Sequence, residues 1–597
     1  MLLRRYRVVV ITCGLVFATL CTSLLVRRQT ALLSPVSAAP VAPTTPPERQ
    51  FEPTPEAPSE ALHDHVDVPT PVSGTAVPPP AAPRSALIDQ QRFFYEPDFY
   101  ATHIQAYLET QPGPLKSYRT MVGSREHSFA EILASQTSLY SINPKVVLAL
   151  IEQQSGMLTT ASPSEEQQKF MLGFRSEEEK REGWLAQLRW AIRELHRAQR
   201  DYPSGPELAY ADKSHSALPS GMTLVDYAIA RVLAATTTAD ALPTKLDGGS
   251  RSFVATYTRL FSDPRDPPID WPEPAAPFLS LPMEAPHETT SFFDHDTPFL
   301  SQSGSIVTYR GDRDEQLSYD GHDGWDYGML PPEPVLAAAD GTVVFAGNSD
   351  DGCGVAKVVI IDHGNGYRTL YWHLTQPTVE VGPVERGQQI GTAGSSGCAT
   401  GPHLHFQVQY LGHDTDPAGW CGPRNADPWA AHPAGQISTW LWQDVPSPCA
   451  LPENAIVVDT TDPGFRRLGV GWTELAQGIG GTALNVMSSP PTGSRLTVGV
   501  WRPALPRAGR YRVLAWVPYV ANGLKDAGRA RYVVGHADGS GDTQQISISQ
   551  ADTANWWADL GVHLFDPQRA PFVGLAANDS ESGNNVWYDA IIWIPMD

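Results

Sequence analysis

The chain has 597 residues, 43 of them Lys or Arg and 65 Asp or Glu, for a formal net charge of -22. At one domain per roughly 150 residues, that length holds about three or four folded units, not one core. So acidic a chain with no basic patch excludes a nucleic-acid partner, and 41% hydrophobic residues with 16 Trp exclude a wholly disordered chain.

At the N-terminus, Arg4, Arg5 and Arg7 precede an uncharged, mostly apolar run from Val8 to Val26, followed by Arg27 and Arg28. A helix needs about 20 such residues to cross a bilayer, so residues 1–30 are predicted to be a membrane anchor, with a signal segment as the alternative reading. Ser37, Ala38 and Ala39 would then mark cleavage. Everything downstream reads as soluble and therefore lies on one side of the membrane, extracytoplasmic, either anchored at the cell surface or secreted. Cys13 and Cys21 fall inside the apolar run, leaving Cys353, Cys398, Cys421 and Cys449. An even number in an exported chain favours two disulfides, and of three connectivities we expect Cys353 with Cys398 and Cys421 with Cys449.

Residues 31–85 are rich in Pro, Ala, Thr and Val without periodicity, the composition of a semi-rigid tether. Residues 86–263 read as helical. Ser128 with Glu131 forms a capping box, Asn143-Pro144 opens a second helix, and Ser176 with Glu179 is expected to open a third carrying Trp184, Leu188, Ile192 and Leu195 on one face. A second Pro-rich linker spans 264–286. Short β-branched runs broken by Gly fill 287–450, among them Val355 to Asp362, the turn from His363 to Gly366, and Tyr367 to Leu374. Residues 454–597 read as an all-β sandwich with candidate strands Tyr511 to Val517, Arg531 to Val534, Gln545 to Ile548 and Trp587 to Ile594.

Chemistry concentrates in three short stretches: Gly321 to Gly328 with His322 and Asp326, Tyr371 to Leu374 with His373, and Gly401 to Phe406 with His403 and His405. A hydrolytic zinc centre takes about three nitrogen or carboxylate ligands and keeps one position open. His322, Asp326 and one of the late histidines supply that set. Strand alternation places His373 on the face of Tyr367, Thr369 and Tyr371, and puts His403 and His405 on a common face about 6–7 Å apart. One of that pair would bind metal while the other serves the chemistry. Each piece alone is weak, but their order and Gly-rich lead-ins make the combination specific. His363, in the turn, reads as structural.

From about His322 to Tyr410 the ordered set GHxGxDxG, YxHL and GxxGxATGPHLHF resembles the lysostaphin-like (LytM-type) zinc metalloendopeptidases, which cleave peptide cross-links of bacterial peptidoglycan. The resemblance implies an all-β domain of duplicated hybrid motif-like antiparallel sheets, zinc as cofactor, His322, Asp326 and His405 as its ligands, and His373 and His403 as catalytic residues. Two positions depart from the family: Gln407 stands where a carboxylate is frequent, and Asp320 where an Arg is usual. The stretch Asn143 to Gly156 looks like the start of an all-α lysozyme-like transglycosylase domain, but Gln154 occupies the place of its acid, and an amide cannot protonate a leaving sugar. That domain is expected to be non-catalytic, a glycan binder or a spacer. The C-terminal segment, opening at Val457 to Phe465 and including Gly509 to Pro518, resembles the golvesin or xanthan-lyase C-terminal β-sandwich. There Trp472, Trp556, Trp557 and Trp587 are either core or platforms for sugar rings. The leading expectation is an extracytoplasmic zinc endopeptidase acting on peptidoglycan cross-links or stem peptides. The alternatives are a non-enzymatic wall-binding or regulatory protein with a metal-free peptidase-like fold, and a secreted zinc peptidase acting on a protein or peptide.

Overall fold

The computed structural model describes residues 86–596 apart from 177–180, 268–275, 297–304, 315–320, 351–353, 424–426, 490–496, 521, 536–542 and 578–582. The expected anchor and the first Pro-rich segment lie outside these residues. Among the described residues no helix is long and apolar enough to cross a membrane.

Local capping sets the helices of the first part. Ser128 and Glu131 form the reciprocal box that starts α1 (Phe129–Leu139). The Asn143 side chain accepts from Lys145 N at the head of α2 (Pro144–Ser155), and Gly156 ends that helix in the left-handed conformation. The expected start at Ser176 does not hold: α3 (Trp184–Asp201) begins eight residues later, from an N-cap at Gly183 with no side-chain cap. Its buried stripe is nonetheless the one the spacing predicts, with Leu188, Ile192 and Leu195 in the core and Trp184 half-buried against Tyr118 and Phe129. Fully burying one such Leu or Ile contributes about 1.5–3 kcal/mol, so the packed face outweighs a missing cap of about 1 kcal/mol. α4 (Leu224–Ala234) packs beside α3, fastened by Arg231, which reaches Glu194 at 2.7 Å and Asp201 at 2.8 Å.

The middle part is built on an antiparallel sheet of β1 (Thr289–Ser291), β2 (Trp325–Tyr327), β3 (Gly341–Asp350), β4 (Val355–Asp362), β5 (Tyr367–Trp372), β6 (Gly382–Val384) and β7 (Leu404–Tyr410). Their spatial order is β6-β3-β4-β5-β7-β2-β1. β4 and β5 form the expected hairpin, with Ile360 opposite Leu370. Both faces of this sheet are buried, so its strands read as near-continuous apolar runs. Val343, Val359, Ile361, Tyr371, Phe406 and Val408 belong to the large core. On the other face Val358, Ile360, Leu370 and Trp372 form a separate cluster, covered by Tyr100 and by Leu139 of α1. The register pairs Trp372 with His405 and His405 with Asp326, so the face that receives the helical part is also the face of those two polar side chains.

Polar contacts fix this docking. Gln136 donates to Asp350 O at 2.6 Å, Gln409 to Ser138 O at 2.8 Å, and Asn348 to Val122 O at 2.7 Å. Arg368, buried, pairs with Asp362 at 3.1 Å and lies under the rings of Tyr95 and Tyr100, while the Tyr100 hydroxyl donates to the same Asp362 carboxylate. The stretch read as a second linker is in part structural: Phe278 and Leu279 donate to Leu441 O at 2.8 Å each, and Leu279 is buried.

The last part is built on two larger sheets and a third of three strands, Thr473–Leu475, Ala483–Met487 and Asn585–Tyr588. One sheet orders Ile456–Val458, Ile591–Pro595, Gly509–Val517 and Trp556–Phe565; the other orders Phe465–Leu468, Val498–Trp501, Phe572–Ala576, Ala530–Gly535 and Thr543–Ile548. The candidate strand Trp587 to Ile594 is two strands, Asn585–Tyr588 and Ile591–Pro595, in different sheets. Trp557 and Trp587 are buried and cannot stack on a sugar. Trp472 packs on Tyr588, and Trp556 on Trp440 and Trp442 of the middle part. Cys421 and Cys449 are bridged, with Cα atoms 5.6 Å apart. Cys398 is also disulfide-bonded, whereas Cys353 lies outside the described residues.

Candidate metal centre

His322, Asp326 and His405 converge. Asp326 Oδ1 lies 3.1 Å from His322 Nε2 and 3.0 Å from His405 Nδ1, and the two nitrogens are 3.0 Å apart. All three side chains are buried. Among the described residues this is the one trio of His, Cys, Asp or Glu whose donor atoms can lie within 4.8 Å of one another. Asp326 sits in β2 and His405 opposite it in β7, so the strand register alone brings these two together.

His322 comes from the turn before β2 and is positioned by a segment distant in sequence. Its Nδ1 donates to Phe292 O at 2.7 Å, and its own carbonyl accepts from Asp294 N at 2.8 Å. Asp294 in turn accepts from Gly321 N at 2.8 Å and from Val307 N at 3.0 Å. The Nδ1–H on a carbonyl leaves Nε2 as the lone-pair nitrogen facing Asp326. Gly324 is required here for space: a Cβ would meet Phe406 O at 2.7 Å and the His405 ring at 2.8 Å.

The two other histidines border the trio. The His403 and His373 rings are 4.7 Å apart, and His373 is 5.9 Å from the His405 ring. His403 Nε2 lies 3.8 Å from Asp326 Oδ1. Simple alternation misplaces His373. β5 ends at Trp372, and His373 takes a φ of 62°, which carries its ring away from the Tyr371 side of the sheet to the side of His405. Tyr371 is buried in the opposite core with its hydroxyl bonded to Thr369 and to Ala338 N. His363 is structural, held between Asp340 O and Thr369.

The charges are ordered. For His322, burial works to lower the pKa, but the adjacent Asp326 carboxylate reverses this and raises it to about 9. For Asp326, burial works upward and is overcome by the positive charge and hydrogen bonds of His322 and His405, so its carboxyl is held well below the usual range. A divalent cation fits the same place, because one carboxylate and two imidazoles are the donor chemistry zinc prefers. His373 is pushed down to about 3, first by burial and then by the charges of His405 and His403. Its Nδ1 meets Ser396 O at 2.7 Å, which leaves Nε2 of this neutral ring as the proton acceptor, and Nδ1 of His403 likewise meets Gly401 O at 2.9 Å.

Residues 320–417 match the family model "Peptidase family M23". The chain carries an M23 (LytM-type) peptidase domain. The M23 domain is flanked by a match to "LasA, N-terminal domain" over residues 86–273 and one to "Golvesin C-terminal domain" over residues 456–593. Among curated relatives, the DD-carboxypeptidase/endopeptidase Mpg of Neisseria meningitidis is 41% identical over 96 residues, which is 16% of this chain and 22% of that protein. The peptidoglycan DD-endopeptidase ShyA of Vibrio cholerae is 42% identical over 88 residues, 15% of this chain and 20% of that protein. The murein hydrolase activator NlpD of Salmonella typhimurium is 32% identical over 152 residues, 24% of this chain and 39% of that protein. The chain thus spans between a fifth and two fifths of the length of these relatives. A zinc-containing peptidase from Vibrio cholerae is similar in structure at 30% identity, covering 24% of this chain and 39% of that one, with a TM-score of 0.19.

Residues other than the five expected ones also build the M23 site. Phe292 and Asp294 lie near His322, Ser396 accepts from His373, and Asp323 lies against His405. Phe292 and Asp294 carry no local sequence signal, whereas Asp323 and Ser396 stand at variable positions inside the first and third motifs.

Proposed function

We propose that the chain is an extracytoplasmic zinc-dependent endopeptidase that hydrolyses peptide bonds in peptidoglycan cross-links or stem peptides. The observation that carries this reading is the convergence of His322, Asp326 and His405 beside two further imidazoles, His373 and His403. His322, Asp326 and His405 would hold the zinc, which when bound would supply the Lewis acidity needed to polarise the scissile carbonyl and acidify the attacking water. The rest falls to the chain's own side chains. His373, with Nδ1–H held by the Ser396 carbonyl, accepts the water proton at Nε2 and passes it to the leaving amine, and His403, its ring 4.7 Å away, borders the reacting carbonyl. The names of Mpg and ShyA support peptidoglycan as the substrate class.

The helical domain serves as a non-catalytic support in this reading. The Gln154 amide is engaged by Thr236 and Lys245, and Glu152 is buried on Leu158 N, Thr159 and Arg259, so neither is free to act as a glycosidic acid. A non-enzymatic protein, the alternative that the printed role of NlpD as a murein hydrolase activator brings to mind, would have no use for four histidines and an aspartate gathered in one cleft. Incubating the full chain with purified peptidoglycan, with and without chelator, tests the proposal. New free amino groups that vanish with chelator and return with zinc are expected; unchanged amino groups in the zinc-loaded sample would end it.

A further inference from the structure

Each imidazole of the trio offers one nitrogen to the cluster and turns the other outward. For His322 the outward nitrogen ends on the Phe292 carbonyl at 2.7 Å. For His405, whose Nδ1 is the inward nitrogen, the outward Nε2 lies 3.4 Å from Asp323 Oδ1. The residue two positions beyond His405 on its own strand face, Gln407, is unsuited to serve as an anionic support, because it is neutral and its amide donates to Asp414 Oδ1 at 2.7 Å. The loop makes the approach of Asp323 possible: Gly324, directly after it, packs so closely on the His405 ring that a Cβ there would lie 2.9 Å from Nε2. Asp323 is also the neighbour of a ligand on each side, following His322 in sequence and facing His405 in space.

We propose that Asp323 is the positioning residue for His405, its carboxylate facing Nε2 at 3.4 Å and so favouring the tautomer that carries its proton there and presents Nδ1 to the metal. The assignment rests on the reading of the trio as a zinc site. Ligating histidines commonly donate their second N–H to a carboxylate or carbonyl, which orients the ring and raises its basicity. Here the two supports differ in kind. His322 has a neutral carbonyl and His405 an anion, so the charge that strengthens the site comes from the first motif and not from the strand of the third.

Zinc affinity of the full chain, measured by competition with a chromophoric chelator, tests this together with the d–d spectrum of the cobalt-substituted protein. Wild type is expected to bind one zinc per chain; no zinc in the wild type would overturn the metal reading itself and is thereby distinguished from failure of this assignment. D323A is expected to weaken zinc about 10- to 100-fold, the usual effect of losing such a support, and to shift the cobalt bands. D323N, whose amide oxygen still accepts a hydrogen bond, is expected to fall between D323A and wild type. A D323A dissociation constant within twofold of wild type overturns the assignment, as does a D323N value no better than that of D323A. Should D323A fail to fold, D323N decides alone: weakening beyond twofold supports the role of Asp323, and a smaller change overturns it.

Discussion

His295 gives the most demanding test of the electrostatics around the site. Its fully buried ring lies between two carboxylates, with Nε2 2.9 Å from Asp416 Oδ2 and Nδ1 3.0 Å from Asp427 Oδ1. Burial alone would lower its pKa, but the hydrogen bonds and charges of both acids raise it to about 9. From an unfolded value near 6.5, a rise of that size corresponds to stabilisation on the order of 3 kcal/mol. Because the folded pKa is the higher one, the contribution is complete below about pH 6.5, shrinks as pH climbs, and is gone once pH passes through about 9. Asp416 also accepts from Trp325 Nε1 at 2.9 Å and Ala418 N at 2.7 Å, so the loss reaches the strand that bears Asp326. Thermal melts of wild type and H295Q across pH 6 to 10 measure it. Wild type is expected to lose stability between pH 6.5 and 9, whereas H295Q, already destabilised at pH 6 by about 3–5 kcal/mol because the buried Asp416 and the partly buried Asp427 lose their shared cation, should lack that sloping component. Parallel profiles for the two proteins would refute the buried imidazolium.

H405A and H322A are expected to abolish stoichiometric zinc binding and peptide hydrolysis together, read by metal analysis and amine release. H373A should keep its zinc yet lose about 10²–10⁴-fold in kcat, as befits removal of a general base. G324A places a methyl group against Phe406 O and the His405 ring at 2.7–2.8 Å, so it is expected to cost about 1–3 kcal/mol and to weaken zinc binding, with both effects visible in a melt and a chelator titration. An unchanged melt and titration for G324A would mean that the loop is free to move away from His405.

Periodicity and capping carried much of the architecture. The β4–β5 hairpin and the starts of α1 and α2 follow from spacing, since strand alternation and capping are local rules, whereas the pairing of Asp326 with His405 is set by the register of two strands far apart in sequence, and spacing left open which late histidine would face the carboxylate. His373 broke the alternation because a single left-handed residue after β5 redirects its side chain. The segment Trp587 to Ile594 read as one strand because both its halves are apolar, although Asp589 and Ala590 separate strands of two different sheets. Ser176 looked like a cap, but the helix waits for Gly183, from where Trp184 and Leu188 can reach the core. Longer-range supports such as Phe292 and Asp294 for His322, or Ser138 for Gln409, pair residues far apart in sequence, and no local pattern encodes them.

The seating of Leu139 and Tyr100 over Val358, Ile360, Leu370 and Trp372 has a practical corollary. Cutting the chain ahead of residue 287 would strip one side of the β1–β7 sheet of its cover and present a bare oily patch to solvent, an invitation to self-association. Inactivity of such a fragment would report aggregation before it reported anything about zinc, and efforts to isolate the M23 domain should retain the chain from residue 86 onward.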